Sequence, residues 1–229
     1  MRSTTSRATV TVTAIAALAL LPSSAAAASI DGGPGGERLR GTNAADQIDG
    51  GAGRDRILGL GGADQLAGGL GRDRIFGGTG DDRSFGENGN DLMAGGTGDD
   101  VQDGGAGNDV IFANLGQDTS SGGEGNDVLW ALARGDVKPG TNGEVDQVGD
   151  TLDGGPGDDV LRTRDGEVDR ITCGPGTDRA VLDQVDVIAD ATAETPNGSC
   201  ETVQRAAPKA RQSKSEDAQQ SPAAERRQS

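Results

Sequence analysis

The chain contains no histidine and no tyrosine, one tryptophan and three phenylalanines, and only 32% of its 229 residues are hydrophobic. The lack of histidine excludes histidine-based triads and histidine-ligated zinc. The scarcity of aromatics excludes a thick, ring-filled core of the ordinary globular kind. Positive charge is short as well: 21 Lys and Arg stand against 37 Asp and Glu, a net charge of -16, which argues against a nucleic-acid partner. Such a composition describes a disordered chain unless something other than burial stabilises it.

Long apolar runs are missing except near the start. Residues 10–21 are mostly apolar, preceded by Arg2 and Arg7 and followed by Ala26, Ala27 and Ala28 ahead of Ser29. That is the pattern of a cleavable export signal, and the run is too short to span a bilayer. Residues 1–28 are therefore predicted to be a signal peptide and the mature chain to be secreted and extracellular. Loss of Arg2 and Arg7 takes the charge from -16 to -18. In an exported chain Cys173 and Cys200 are predicted to form a disulfide. Residues 204–229, rich in Gln, Ser, Ala and charge, are predicted to be a disordered tail.

What the chain does have is glycine, 40 residues of it, and a strict period. Asp46, Asp55, Asp64, Asp73, Asp82, Asp91, Asp100, Asp109, Asp118, Asp127 and Asp136 follow one another every nine residues, with Glu37 in the same phase. Residues 50–58 read GGAGRDRIL, residues 68–76 GGLGRDRIF and residues 104–112 GGAGNDVIF. Glycines at the first, second and fourth places permit positive φ and a tight turn; the last three places make a minimal strand pointing one side chain inward. One unit is thus a turn plus a strand, and two units make an 18-residue coil. The inward positions support the double period: Leu39, Ile57, Ile75, Met93, Ile111 and Leu129 are all apolar, whereas the intervening set runs Ile48, Leu66, Ser84, Gln102 and Ser120. An outward stripe of Leu58, Phe76, Ala94, Phe112 and Trp130 recurs on one sheet only.

These units match G-G-x-G-x-D-x-U-x, and over about residues 32–130 the array resembles the RTX, or hemolysin-type, calcium-binding repeat family. The resemblance implies an all-β chain, a right-handed parallel β-roll (solenoid) of 18-residue coils over residues 29–136, with Ca²⁺ between its turns. The metal-binding residues it implies are Asp46, Asp55, Asp64, Asp73, Asp82, Asp91, Asp100, Asp109, Asp118 and Asp127.

Elementary electrostatics leads to the same place. Strands of stacked coils lie about 4.8 Å apart, and two carboxylates at that spacing repel by roughly 3.5 kcal/mol at an effective ε of 20. A hard cation shared by two turns reverses that repulsion, and turn carbonyls can complete an oxygen shell; Mg²⁺, with its tighter octahedral demand, suits it less well. The same-edge pairs are 55/73, 73/91, 91/109 and 109/127 on one side and 46/64, 64/82, 82/100 and 100/118 on the other. Eight ions on these pairs would bring the mature -18 to -2. Folding is therefore expected to depend on calcium.

After Asp136 the register breaks. Residues 137–149 are read as an inserted loop. Residues 154–162, GGPGDDVLR, restart the pattern, and residues 150–203 are read as degenerate closing coils capped by the disulfide, with Asp150, Asp159, Asp169, Asp178 and Asp186 at irregular spacing. No enzyme is expected, since the register already accounts for nearly every carboxylate; Glu144 and Asp146 are more simply solvated loop charges. A calcium-stabilised adhesin or surface module is the alternative, with Phe76, Phe112 and Trp130 as the face for a partner; a toxin-accessory role is less favoured. Arg134-Gly135-Asp136 spells an adhesive tripeptide, yet Asp136 sits in the repeat phase. Asn197-Gly198-Ser199 fits a glycosylation acceptor but reads better as turn chemistry beside Cys200.

Overall fold

The computed structural model describes residues 26–131 and 149–207, with the backbone of Thr11–Ala14. Most of the expected leader, the expected loop up to residue 148 and the tail beyond 207 lie outside the described residues, as do Arg134-Gly135-Asp136, Glu144 and Asp146. Every helix-or-strand element among the described residues is a strand, and the chain alternates between two sheets of ten and nine strands. Neighbours within each sheet are parallel, save Thr11–Ala14, which runs antiparallel to residues 28–31. Through the regular stretch each residue pairs with its counterpart two units along the chain, as in Ile57↔Ile75↔Met93↔Ile111. The fold is the expected parallel β-solenoid.

The three-residue strands Arg38–Arg40 and Val128–Trp130 show the rule, burying the central residue and turning the two flanking ones outward; in Leu92–Thr97 the small Ala94 is covered as well. In the nine-stranded sheet the inward file is Leu39, Ile57, Ile75, Met93, Ile111, Leu129, Leu161 and Ala180, all at most 2% exposed. In the ten-stranded sheet the file is apolar at both ends, through Ile48, Leu66, Leu152 and Ile171, but polar in the middle, where Ser84, Gln102 and Ser120 are equally buried. Gln102 satisfies itself across the core. With its amide oriented to match its surroundings, its nitrogen donates to the Phe112 carbonyl (3.0 Å) and Ser120 Oγ (3.2 Å), and its oxygen accepts from the Gly95 N–H (3.0 Å). One modest side chain per strand, at about 1.5–3 kcal/mol each, is a thin core.

The glycines divide by task in a way that the period alone does not reveal. Those at the second and fourth places, such as Gly51 (φ 86°) and Gly53 (φ 129°), occupy the left-handed region, as expected. Those at the first place have no positive φ; they are glycine because a side chain there would strike the neighbouring coil. A Cβ on Gly68 would sit 2.8 Å from the Gly86 carbonyl oxygen and 2.9 Å from Asp73 Oδ2. Three second places lack glycine and are strained: Leu60 (φ 86°), Glu87 (φ 70°) and Asn114 (φ 79°). Glu87 is exposed, so Glu87→Gly relieves the left-handed penalty without removing buried surface. It is expected to stabilise the roll by about 1 kcal/mol, read as a higher melting temperature in calcium.

Beyond residue 131 the coil resumes in register. Ser120 pairs with Leu152 and Leu129 with Leu161, so the extra chain between these coils is absorbed without disturbing the sheets. The last coils are irregular in length, 19 residues from Leu161 to Ala180, 23 from Ala180 to Val203 and 17 from Ile171 to Ile188, and the final strand, Thr202–Arg205, completes the nine-stranded sheet. Cys173 and Cys200 form the expected disulfide, buried, with Cα atoms 5.2 Å apart. Ser199 Oγ beside it accepts from the Cys173 and Gly174 N–H groups (3.0 and 3.1 Å), and Arg205 donates to the carbonyls of Asp183 and Asp186, both at 3.0 Å. A cross-link closing 27 residues is worth about 3.5 kcal/mol. Reduction is expected to speed hydrogen exchange in residues 170–205 while leaving the central coils protected.

Candidate metal centre

The aspartate in each unit sits at the corner where turn becomes strand. Its position is forced from both sides: the next residue begins the strand ladder, and the glycine five residues earlier, replaced by Ala113 only ahead of Asp118 in the predicted set, leaves room for its carboxylate. All ten predicted residues, Asp46 to Asp127, are buried, at 1–4% exposure except Asp73 at 0%. They form two ladders, one along each edge of the roll. On one, Asp46, Asp64, Asp82, Asp100 and Asp118 follow one another, and each main-chain N–H donates to Oδ1 of the next at 2.7–2.8 Å. On the other, Asp55, Asp73, Asp91, Asp109 and Asp127 do the same at 2.7 Å.

The ladders continue where the nine-residue count fails. Asp118 donates to Asp150 (2.9 Å), Asp127 to Asp159 (2.8 Å), Asp150 to Asp169 (2.7 Å) and Asp159 to Asp178 (2.8 Å). Glutamates end the second ladder: Glu37 donates its N–H to Asp55 Oδ1 at 2.6 Å, and Asp178 donates to Glu201 Oε2 at 2.7 Å. Asp150, Asp159, Asp169 and Asp178 lie outside the predicted site set; the restarted GGPGDDVLR unit is the signal that points to them. A further file has no counterpart in the sequence reading. From Asp81 and Asn90 onwards the residue before the aspartate also bonds between coils, as where the Asn108 N–H donates to Asn90 Oδ1 and that of Asn126 to Asn108 Oδ1 (3.1 and 2.9 Å).

Oδ1 is thus satisfied; at Asp46 the Thr42 N–H donates to Oδ2 as well, but elsewhere Oδ2 is mostly left over. In Asp55, Asp64, Asp73, Asp82, Asp91, Asp100, Asp109, Asp127, Asp159, Asp169 and Asp178 this oxygen is buried and accepts no hydrogen bond. A buried, unpaired carboxylate oxygen is costly, and such groups in proteins are neutralised or coordinate metal. Beside the first-place glycines lies the cradle already met at Gly68, walled by Oδ2 and by a main-chain carbonyl of the next coil, that of Ala113 at Gly95 and that of Cys173 at Gly154. Gly86 repeats it, with Asp91 Oδ2 at 2.7 Å from a Cβ position, and Gly154 likewise, with Asp159 Oδ2 at 2.6 Å. The donors are oxygens only, which suits a hard cation. Among the described residues no three acidic or cysteine side chains gather on one point, so an ion here takes most of its ligands from main-chain carbonyls.

The electrostatics record the same deficit. Burial, against the lowering effect of the N–H bond to Oδ1, pushes Asp64, Asp91, Asp100 and Asp159 up to about 7 and Asp55, Asp82 and Asp109 up to about 6. Neighbouring carboxylates add to the rise, as Asp73 and Asp109 do at Asp91. Asp169 is pushed up furthest, by burial and then by Asp165, Asp150 and Asp186. Near neutral pH the ladders lack positive charge.

Comparison with known proteins agrees with this chemistry. A search of the curated proteins finds no match. The profile of the RTX calcium-binding nonapeptide repeat matches four times, over residues 31–66, 58–93, 94–129 and 149–167. These matches take in slightly more than half of the chain and resume after the insertion, where the ladder also resumes. A solenoid of glycine turns, each presenting a buried carboxylate oxygen to the carbonyls of the next coil, therefore carries its family with it: the chain belongs to the RTX calcium-binding nonapeptide repeats.

Proposed function

We propose that the two aspartate ladders are the calcium sites and that their filling folds the roll once the chain has been exported. The observation that carries this is the repeated Oδ2, buried and without a hydrogen-bond donor, beside a main-chain carbonyl of the adjacent coil. The residues that would hold the ions are Asp46, Asp55, Asp64, Asp73, Asp82, Asp91, Asp100, Asp109, Asp118 and Asp127, joined beyond the insertion by Asp150, Asp159, Asp169 and Asp178. Bound calcium supplies the positive charge that these carboxylates lack. The first-place glycines keep each cradle open, and the Oδ1 bonds hold each carboxylate in register with the next coil. The role is structural and binding, without catalysis. A leader at residues 1–28 would deliver the unfolded chain to surroundings where weak calcium sites stay filled.

Calorimetric titration tests the assignment. The eight inter-coil pairs of the regular stretch set the expected minimum, and Asp91→Asn is expected to remove about one or two ions from the count, because it strips charge from a carboxylate between two gaps. Asp103→Asn, on the exposed outer face, is expected to leave the count unchanged. Equal stoichiometry in both variants would place the ions elsewhere.

A further inference from the structure

The two outer faces of the roll differ in charge. On the nine-stranded sheet the outward positions are the residues flanking each buried central one, and not one of them on any of the nine strands is Asp or Glu. On the ten-stranded sheet the equivalent positions include Asp31, Asp49, Asp103 and Asp153. In a chain with 37 acidic residues, an acid-free face along the whole roll is a distinct surface.

That face is organised along the roll axis. At one end Arg38, Arg56 and Arg74 stand in cross-strand register, beside Arg40. In the middle the positions are apolar, and Phe112 stacks on Trp130 with ring centroids 6.1 Å apart. Arg162 then lies over the Trp130 ring, 4.5 Å from its centroid, and Arg179 follows at the far end. No carboxylate of the described residues pairs with Arg38, Arg40, Arg74 or Arg162. Arg162 Nε is buried without a hydrogen-bond partner. Guanidinium groups aligned at strand spacing repel one another, as the aspartates do, and an anionic partner removes that repulsion.

We propose that this face is a docking surface for a linear acidic polysaccharide lying along the roll axis. Its anionic groups meet the two arginine clusters, and its sugar rings lie against Phe76, Phe112 and Trp130. The shape favours a linear polymer: the face is one strand wide and many coils long, and its aromatic rings are half-buried, which leaves little to insert into a membrane. Phe76 and Phe112 are two coils apart, about 9.6 Å, close to the length of a disaccharide. A second copy of the chain fits poorly, since the face carries arginine at both ends and either stacking direction sets arginine against arginine. The proposal rests on strand register, not on the ion sites.

The test uses the full secreted chain in calcium, with dextran sulfate as probe and neutral dextran as control. The protein's single tryptophan, Trp130, lies in the proposed contact, so its emission is expected to shift on binding dextran sulfate and to stay constant with dextran. Arg38→Gln with Arg74→Gln is expected to weaken binding at least about tenfold. Arg83→Gln with Arg170→Gln, outward on the other sheet, is expected to change nothing. Circular dichroism of the same samples separates loss of the roll from loss of the face, and the wild-type emission arm needs no variant. Saturating binding without a Trp130 response, equal weakening by both pairs, or binding to phosphatidylglycerol vesicles but not to the polysaccharide would each overturn the proposal.

Discussion

Chelation of calcium at pH 7.5 is expected to abolish most of the far-UV β signal, and restoring the ion is expected to bring it back. The reasoning rests on what the fold lacks. Each strand of the regular coils contributes at most one large inward side chain, and in the ten-stranded sheet three consecutive ones, Ser84, Gln102 and Ser120, are polar. Against that thin core stand two files of buried carboxylates, each neighbour pair repelling by roughly 3.5 kcal/mol even at an effective ε of 20. The Oδ1 bonds offset part of this, but Oδ2 of Asp55, Asp64, Asp73, Asp82, Asp91, Asp100, Asp109 and Asp127 accepts no hydrogen bond. Reversal should be cooperative, because a coil with empty turns cannot hold the register of its neighbours. A β signal unchanged in excess EDTA, with the metal shown by elemental analysis to be gone, would refute calcium-dependent folding.

Much of this was legible in the sequence because a solenoid is nearly one-dimensional. A nine-residue period with doubled apolar phase gave strand positions, the pairing of every second unit and the two edges, and the buried residues Ile57, Ile75, Met93 and Ile111 fall where that period puts them. What stayed hidden belongs to contacts between coils. Gly50 and Gly68 look like further turn glycines, yet their φ is ordinary and the constraint is a carbonyl of the adjacent coil, that of Gly68 for Gly50 and that of Gly86 for Gly68. The continuation through Asp150, Asp159, Asp169 and Asp178 was obscured because spacings of 32 and 19 residues break a linear count while leaving the stacking intact. The Asn90, Asn108 and Asn126 file could not be told from ordinary polar turn residues, since Asn is favoured in turns for local reasons too.

Without calcium, acidification is expected to do part of the ion's work. Asp55, Asp64, Asp82, Asp91, Asp100 and Asp109 sit at about 6 to 7 in the roll against an ordinary value of 3.8, raised chiefly by burial. Because the folded value is the higher one, the folded state binds protons more tightly than the unfolded chain. The stabilisation is fully present below about pH 3.8 and is lost as pH rises through 6 to 7. The EDTA-treated chain is therefore expected to show β structure near pH 4.5 and to lose it towards pH 7.5, at the low concentrations that a pI near 4.3 demands. Calcium should remove this dependence at the upper end, holding the roll at pH 7.5 where protons no longer can. Where the metal-free roll is already folded by protons, calcium must displace them, so titrations at pH 5.5 in buffers of different ionisation enthalpy should report proton release. A chelated chain equally unfolded at pH 4.5 and 7.5, with no proton release on binding, would show that these carboxylates are not the groups whose charge decides folding. The proton and the calcium ion are, on this account, alternative ways of neutralising the same buried oxygens, and only one of them is effective at neutral pH.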